Sequence, residues 1–466
     1  MIKKLAPNVL DTVQEMQQLR SRTLGSRGLF LRLDALKQIK RLLVEHEDRW
    51  MLALKEDLGK PPLEAYATEI AFLLNELDHS IKHLAKWMKP TIKRRLLVSG
   101  AEKTSVSAEP FGSVLILSPW NYPLQLALGP AIGAIAAGNG VVLKPSESAP
   151  AISQLLAELV PQYLDPDLLY VVEGEADVAK SLTDRKWDFV FFTGSPQTGA
   201  KVYQAAAKHL TPVVLELGGK NPCIIDENQI NSETIKQIVW SKFLNAGQTC
   251  IAPDTVYVPR SFYQQFLQQA KQQIIEFYGE SPLDSPDYGR IVHQQHLAHL
   301  TRFLKDGTVY YGGESDEAKR FMTPTLMTDI KTGSALMQEE IFGPILPIIP
   351  YDSVDDVINQ YQALPVPLVV YLFTHNKKMI QYVGERLESG ALSVNQLMVH
   401  VTSPNTPFGG KGQSGLGNYH GQFSFKTFTY QKTLYHKKTP LNLPQQFPPY
   451  SEVALGALKR FRRMVF

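Results

Sequence analysis

The chain has 466 residues, 44% of them hydrophobic and 20% charged, with a formal net charge of +3. That length sets an expectation of two or three domains. The near-neutral, scattered charge excludes the basic face a nucleic-acid binder needs, two cysteines (Cys223 and Cys250) exclude a disulfide framework, and no apolar run reaches the roughly 20 residues that span a bilayer.

The amino-terminal MIKKLAPNVLDTVQEM lacks the apolar core of a signal peptide, which points to the cytoplasm. Residues 8–90 place apolar side chains at helical spacing, as in LRLDALKQIKRLLVEHEDRWMLALKEDL, and predict a helical leader. Residues 97–112 alternate like a strand pair and predict a protruding arm. From 113 onward, SVLILS, GVVLKP, LLYVVEG, WDFVFFTG and TPVVLELGG read as strands, with LQLALGPAIGAIAAG and SPQTGAKVYQAAAKH among the helices between them. Apolar strands separated by helices predict βαβ units and a parallel sheet covered on both faces. A second series has NPCIID, DTVYVP and ALSVN as its strands. The Pro-rich tail from 436 ends with Val453, Leu455, Leu458, Phe461 and Val465 roughly on one helical face, beside Lys459, Arg460, Arg462 and Arg463. That pattern suits a helix lying in a membrane interface; docking on the protein's own surface, over the substrate entrance, is the alternative.

The thiol in FLNAGQTCIA stands out. Cys250 follows a polar turn and precedes a helix-breaking Ala-Pro, which suits an exposed, reactive thiolate better than a packed one. A core cysteine is the plain alternative, and it is the reading for Cys223, inside the strand-like NPCIIDE. A thiolate attacking a carbonyl needs donors for the oxyanion. Asn121 of SPWNYP follows the strand SVLILS, where open α/β sheets place their chemistry; otherwise it is a turn residue beside two prolines. Releasing the acyl group needs a base. Glu216 sits between Leu215 and Leu217, where apolar surroundings raise a carboxyl pKa; otherwise it is an edge-strand residue facing water.

Gly410, Gly412 and Gly415 spell G-x-G-x-x-G, but they follow the polar TSPNTPF rather than a strand and open no helix. FVFFTGSPQTGAKVYQAAAKH has the fitting context: an apolar strand, then Gly194, Ser195 and Gly199, then a helix whose free N–H groups suit a phosphate. Lys144 and Glu147 end the strand of VVLKPSE with charges suited to ribose hydroxyls, or form a salt-bridged loop. His293, His296 and His299 recur every third residue, but no carboxylate or cysteine completes a metal set, so no metal is expected.

FLNAGQTCIAPD, LELGGKNPC, SPWNYP, VVLKPSE, FFTGS and QEEIFGP resemble the aldehyde dehydrogenase superfamily, in that family's order and over most of the chain. GQTCIAPD and the short amino terminus are similar to its class 3 branch, which includes fatty and aromatic aldehyde enzymes. The resemblance implies an α/β fold: a Rossmann-like parallel-sheet cofactor domain without the usual glycine fingerprint, an α/β catalytic domain and a small oligomerisation arm. It implies an NAD(P)-binding domain at 1–215 with its leader, and a catalytic domain at 216–395. A bridging and oligomerisation element would join 396–435 with 97–110, leaving 436–466 as tail. By position it implies Cys250 as nucleophile, Glu216 as general base, and Asn121 with the Cys250 backbone N–H as oxyanion hole. Lys144 and Glu147 would bind the adenosine ribose, and Gly194, Ser195 and Gly199 would lie at the pyrophosphate. Glu340 and Phe342 would hold the nicotinamide end, with Trp120 also binding cofactor.

The implied reaction oxidises an apolar aldehyde (long-chain, aromatic or polyene) to the acid, through a thiohemiacetal and a thioester on Cys250, with NAD or NADP as cofactor. Glu147 favours NAD; Lys144 tolerates NADP. A CoA-acylating dehydrogenase and a non-redox cysteine hydrolase are the alternatives. Glu216 argues against the first, and the lack of a clear histidine partner for Cys250 against the second. Asn245 departs from the family pattern, without consequence expected for the chemistry. A homodimer joined through the arm, and a peripheral membrane contact through the tail, complete the expectation.

Overall fold

The computed structural model describes residues 7–24, 28–93, 102–437 and 447–465. The leader is a set of helices: Pro7–Leu24, Leu29–Glu45, Glu47–Leu58 and Ala71–Trp87. Its breaks have local causes. Gly59, at φ 64°, closes the third helix in a left-handed cap, its N–H reaching the Lys55 carbonyl at 2.8 Å. Pro61 and Pro62 restart the chain as a turn, Pro62–Ala65, which continues through a π-helical segment, Tyr66–Ile70, into the last helix. The apolar stripes, with Leu36, Leu43, Trp50, Leu73 and Leu77, are buried in the main core together with the helix Gln125–Ala136, which is buried on every side.

Strand β1 (Thr91–Lys93) pairs antiparallel with β2 (Glu102–Pro110) to begin the arm. A parallel series follows: β3 (Ser113–Leu117), β4 (Gly140–Lys144), β5 (Leu169–Val171), β6 (Phe189–Gly194) and β7 (Val213–Leu217). The next series starts with β8 (Pro222–Ile225), β9 (Thr255–Pro259) and β10 (Thr308–Tyr311). A short ladder, β11 (Ser315–Asp316) with β12 (Phe321–Met322), precedes β13 (Thr325–Thr328), β14 (Ile345–Tyr351), β15 (Val369–Phe373) and β16 (Ala391–Val394). Last come β17 (Gly415–Leu416) and β18 (Thr429–Lys437).

The first sheet has the order β17-β7-β6-β3-β4-β5, parallel except for β17. The second runs β10-β13-β14-β9-β8-β15-β16, parallel except for β10. β3, β4 and β15 are buried at every position and mostly apolar, as strands covered on both faces are. The fold is therefore the expected α/β one with Rossmann-like parallel sheets.

Some expected boundaries shift. A division at 215/216 falls inside β7, whose pairing with β6 keeps Glu216 in the first sheet. The segment 396–435 sends β17 back to that same sheet, and β18 continues to Lys437, past the expected start of the tail. In the arm, residues 97–101 lie outside the described residues. Residues 102–110 form one strand, β2, whose partners are β1 and, along its whole length, β18.

Candidate active site

In the first sheet the chain reverses direction beside β3: β4 and β5 lie to one side, β6 and β7 to the other. The carboxyl ends of strands at such a reversal form the ligand crevice of α/β sheets. A cavity of about 650 Å³ lies there. Trp120 and Asn121 enter it from the turn after β3, Gly194 and Ser195 from the end of β6, and Glu216 from β7. Cys250 comes from the turn before β9, and Glu340 and Phe342 from the segment before β14.

Three expected cofactor residues do not line this cavity. A Cβ on Gly199 would stand 2.7 Å from Leu217 Cδ2, so this glycine lets the helix Pro196–Ala207 pack closely on β7. Lys144 and Glu147 sit at the end of β4, one strand beyond β3, and form an ion pair with each other.

The thiol's turn is an unusual piece of backbone. Asn245, Ala246 and Gly247 take φ of 52°, 51° and 74°, a left-handed run that costs an L side chain roughly 1–2 kcal/mol per residue. Hydrogen bonds hold it in place. The buried Gln248 donates from Nε2 to the carbonyls of Asn245 and Arg290, both at 2.9 Å, and accepts at Oε1 from the Val292 N–H at 2.9 Å. Asn121 Nδ2 donates to the Gln248 carbonyl at 3.1 Å, while the Asn121 carbonyl accepts from Asn245 Nδ2 at 2.8 Å. Asn221 Nδ2 donates to the carbonyls of Cys250 and Ala252 at 2.7 and 3.0 Å. A Cβ on Gly247 would collide with the Gly343 carbonyl. Asn245, named in the sequence as a departure from the family pattern, ties the thiol's turn to that of Asn121.

Cys250 is half-buried. Burial first, then the Glu340 and Glu216 carboxyls, push its thiol up to about 12, against the pull of the Cys250 and Ile251 backbone N–H groups. Cys223 is fully buried in β8, as expected, and burial pushes its thiol up. Glu216 is 3% exposed, and neither carboxyl oxygen has a hydrogen-bond partner. Burial holds it well above the usual carboxylate range. Glu340 is raised to about 8 by burial and by Asp254, opposed by the Gly219 N–H. Its loop is braced from below. Lys220 pairs with Asp254 and donates to the carbonyls of Leu336 and Glu339 at 2.8 and 2.9 Å, and Asp254 Oδ1 accepts from the Ile341 N–H at 2.9 Å. Sequence reasoning missed Asn221, Lys220, Asp254 and Gln248, although each lies within or beside a motif quoted for a neighbour.

His296 was weighed in the sequence only as a metal ligand. It lines the cavity, donates from Nε2 to the Phe342 carbonyl at 2.8 Å, and lies 5.7 Å from the Trp120 ring. Burial lowers it to about 4, so it is neutral at ordinary pH. His293 instead accepts the His296 N–H to cap the helix Gln294–Phe303, and His299 faces Glu339 at 3.5 Å. Among the described residues there is no cluster of metal-ligating side chains.

The cavity fits a dinucleotide. Trp120 and Phe342 meet edge to face, 5.3 Å apart, as an apolar wall. Beside them, Ser195 Oγ accepts the Thr198 N–H at the start of the helix Pro196–Ala207, and Gln197 in its first turn also lines the cavity. A helix start of this kind receives phosphate.

Fold and site together define a class of α/β enzyme in which a thiol and a dry carboxyl face a dinucleotide crevice. The model of the aldehyde dehydrogenase family matches residues 9–434, and the chain belongs to that family. It is 47% identical over 423 residues to the 4,4'-diapolycopene-4,4'-dial dehydrogenase of Cytobacillus firmus, covering 91% of this chain and 93% of that one. It is 40% identical over 452 residues to aldehyde dehydrogenase family 3 member A2 of Rattus norvegicus, covering 96% and 93%, in keeping with the class 3 resemblance. The substrate-bound structure of Staphylococcus aureus AldH superposes with a TM-score of 0.93 at 39% identity, covering 97% and 99%. The cofactor is NAD or NADP, as in other solved aldehyde dehydrogenases of this fold.

Proposed function

We propose that the protein oxidises long-chain or polyene aldehydes to carboxylic acids, with Cys250 as nucleophile, Glu216 as general base and Asn121 as oxyanion donor. One observation carries this reading. Cys250, Glu216 and Asn121 share a single cavity, which also has apolar wall from Leu126, Leu368 and Phe408 for a hydrophobic substrate. The similar Cytobacillus firmus enzyme is named for a polyene dialdehyde, which supports an extended apolar substrate.

The Cys250 sulfur adds to the aldehyde carbonyl, after its proton passes to a carboxyl of the same cavity. The oxyanion that forms is met by the Cys250 backbone N–H and by Asn121 Nδ2, which has a second N–H beyond the one given to Gln248. NAD(P)+, when held by Trp120, Gly194, Ser195, Glu340 and Phe342, supplies the acceptor for the hydride. Cys250 is then left as a thioester. Glu216 takes a proton from water, the water attacks the thioester, and the acid leaves with the thiol restored. Lys144 and Glu147 retain the adenosine ribose as their proposed partner.

The test is to mix the protein with a long-chain aldehyde and NAD+ or NADP+, with and without CoA, and to follow reduced cofactor and acid. Both should form without CoA. A strict need for CoA would move the reading to an acylating dehydrogenase, and product without cofactor to a hydrolase.

We also propose a homodimer and a tail-borne membrane contact. β18 is an outer strand of the arm sheet, and its Tyr430 and Leu434 are exposed; such edges recruit a second chain. Light scattering that showed only monomer would overturn the dimer. The helix Glu452–Val465 leaves Val453, Leu455 and Leu458 80%, 51% and 62% exposed, beside exposed Lys459 and Arg460. An anionic lipid surface matches both faces, at roughly 1 kcal/mol per basic residue. No helix of the described residues is long and apolar enough to cross a membrane, and the proposed contact is a peripheral one. Sedimentation with anionic liposomes should be lost at high salt and in a chain ending at Tyr450. Equal sedimentation of the two chains would sink the idea.

A further inference from the structure

The catalytic scheme uses nothing from the leader, yet a buried charge cluster from residues 60–69 stands behind the site. Lys60 and Glu69 form an ion pair in which both side chains are fully buried. The other oxygen of Glu69 accepts from the N–H groups of Leu124 and Gln125 at 2.9 and 3.0 Å. These residues open the helix Gln125–Ala136, directly after Asn121 and Tyr122. Lys60 Nζ lies 4.0 Å from the centre of the Tyr122 ring, and the Tyr122 hydroxyl shares a 2.7 Å hydrogen bond with Thr249 Oγ1, next to Cys250. On the other flank, the half-buried Glu64 carboxyl is raised to about 7, chiefly by burial and against the pull of Lys60, and its Oε1 has no hydrogen-bond partner.

Burying an ion pair carries a desolvation penalty of several kcal/mol per ion, and a well-packed apolar pair is often as stable. Stability alone is therefore a poor reason for this cluster. Its geometry supplies another. The Glu69 carboxyl holds the Asn121 side of the site, the Tyr122–Thr249 hydrogen bond reaches the Cys250 side, and Lys60 faces both Glu69 and the Tyr122 ring. Glu69 also lies in the π-helical segment Tyr66–Ile70, a local widening of the kind that recurs at functional sites.

We propose that Lys60 and Glu69 are positioning residues that, through the helix start after Asn121 and through Tyr122, keep the two halves of the oxyanion hole, Asn121 and the Cys250 backbone N–H, in register. This rests on the roles proposed above for Asn121 and Cys250. Glu69→Gln keeps the shape and an acceptor but removes the charge opposite Lys60. In the full-length protein it should lower kcat for aldehyde oxidation about 10- to 100-fold, the scale on which a misplaced catalytic group is felt. Cofactor affinity, read by NAD+ quenching of tryptophan fluorescence, should stay within about twofold. In an Asn121→Ala background the same change should cost less than about threefold, because the donor it positions is gone. Tyr122→Phe, which removes only the hydroxyl bonded to Thr249, should lower kcat about 3- to 10-fold with KM unchanged, and it decides the matter if Glu69→Gln does not fold. Additive losses in the double variant, or an unchanged kcat in a folded single variant, overturn the proposal. Failure of the catalytic reading itself shows separately, as no reduced cofactor from the unsubstituted protein.

Discussion

The strand that carries Glu216 and the turn that carries Cys250 face one cavity and are built on opposite terms. β7 is regular, its backbone paired with β6 on one side and β17 on the other. What it leaves unsatisfied is a side chain, since neither oxygen of Glu216 has a partner. In the Cys250 turn the backbone is the strained part, and the side chains of Asn121, Asn221, Asn245 and Gln248 brace it. An orphaned polar group, at roughly 1–3 kcal/mol, is tolerated where the backbone is secure. An awkward backbone is tolerated where side chains are given over to it. Each region thereby keeps one reactive group free.

The contrast is broken most severely at the thiol. Cys250→Ala should abolish aldehyde oxidation while NAD+ still quenches the intrinsic fluorescence; substantial residual oxidation would remove Cys250 from the chemistry. Glu216→Gln should slow turnover by about 10²- to 10⁴-fold yet leave a rapid burst of reduced cofactor, because the thioester forms and then waits for water. If burst and steady state fell together, the base would lie elsewhere, and Glu340 would be the next to substitute. Among the braces, Gln248→Ala strands the Arg290 carbonyl and the Val292 N–H, so urea unfolding should report a loss of about 3 kcal/mol. A loss below about 1 kcal/mol would show that the turn stands without it. Asn245→Ala should cost about 1–2 kcal/mol more than Asn245→Gly, since only glycine takes φ of 52° freely. Equal losses would mean that the backbone holds no strain there.

The smallest effect concerns pH. Glu340 is raised from 4.5 to about 8, chiefly by burial, so the unfolded chain releases its proton first. The stability contribution is whole below about pH 4.5 and is lost as pH rises to about 8. The melting temperature of the unsubstituted protein should therefore fall more steeply across that window than that of Glu340→Gln, and parallel slopes would refute the assignment.

Where local pattern and tertiary role coincide, the chain could be read directly. Buried strands such as β3, β4 and β6 carry apolar runs of three or four residues, and Cys250, Glu216 and Asn121 stand in short polar or turn-like settings near such strands. β14 was hidden because Pro347 and Pro350 interrupt ILPIIPY, and proline argues against an interior strand; here it lies between β13 and β9 regardless. His296 could not be placed because its partners, Trp120 and Phe342, come from distant segments. Lys60 and Glu69 fall within the helical leader and drew no separate reading. Periodicity marks which face is charged, not whether another element will cover it.

Gly218 and Glu340 illustrate what such covering does to the freedom of a sequence. A Cβ at 218 would fall inside the volume of the Glu340 carboxyl. The two positions, on segments that flank different sheets, therefore constitute a single inherited choice. A lineage that acquires any side chain at 218 must move or surrender the acid at 340, and neither change alone restores the starting point. A side chain at this glycine would be felt first by the acid it displaces, rather than by any demand of its own backbone.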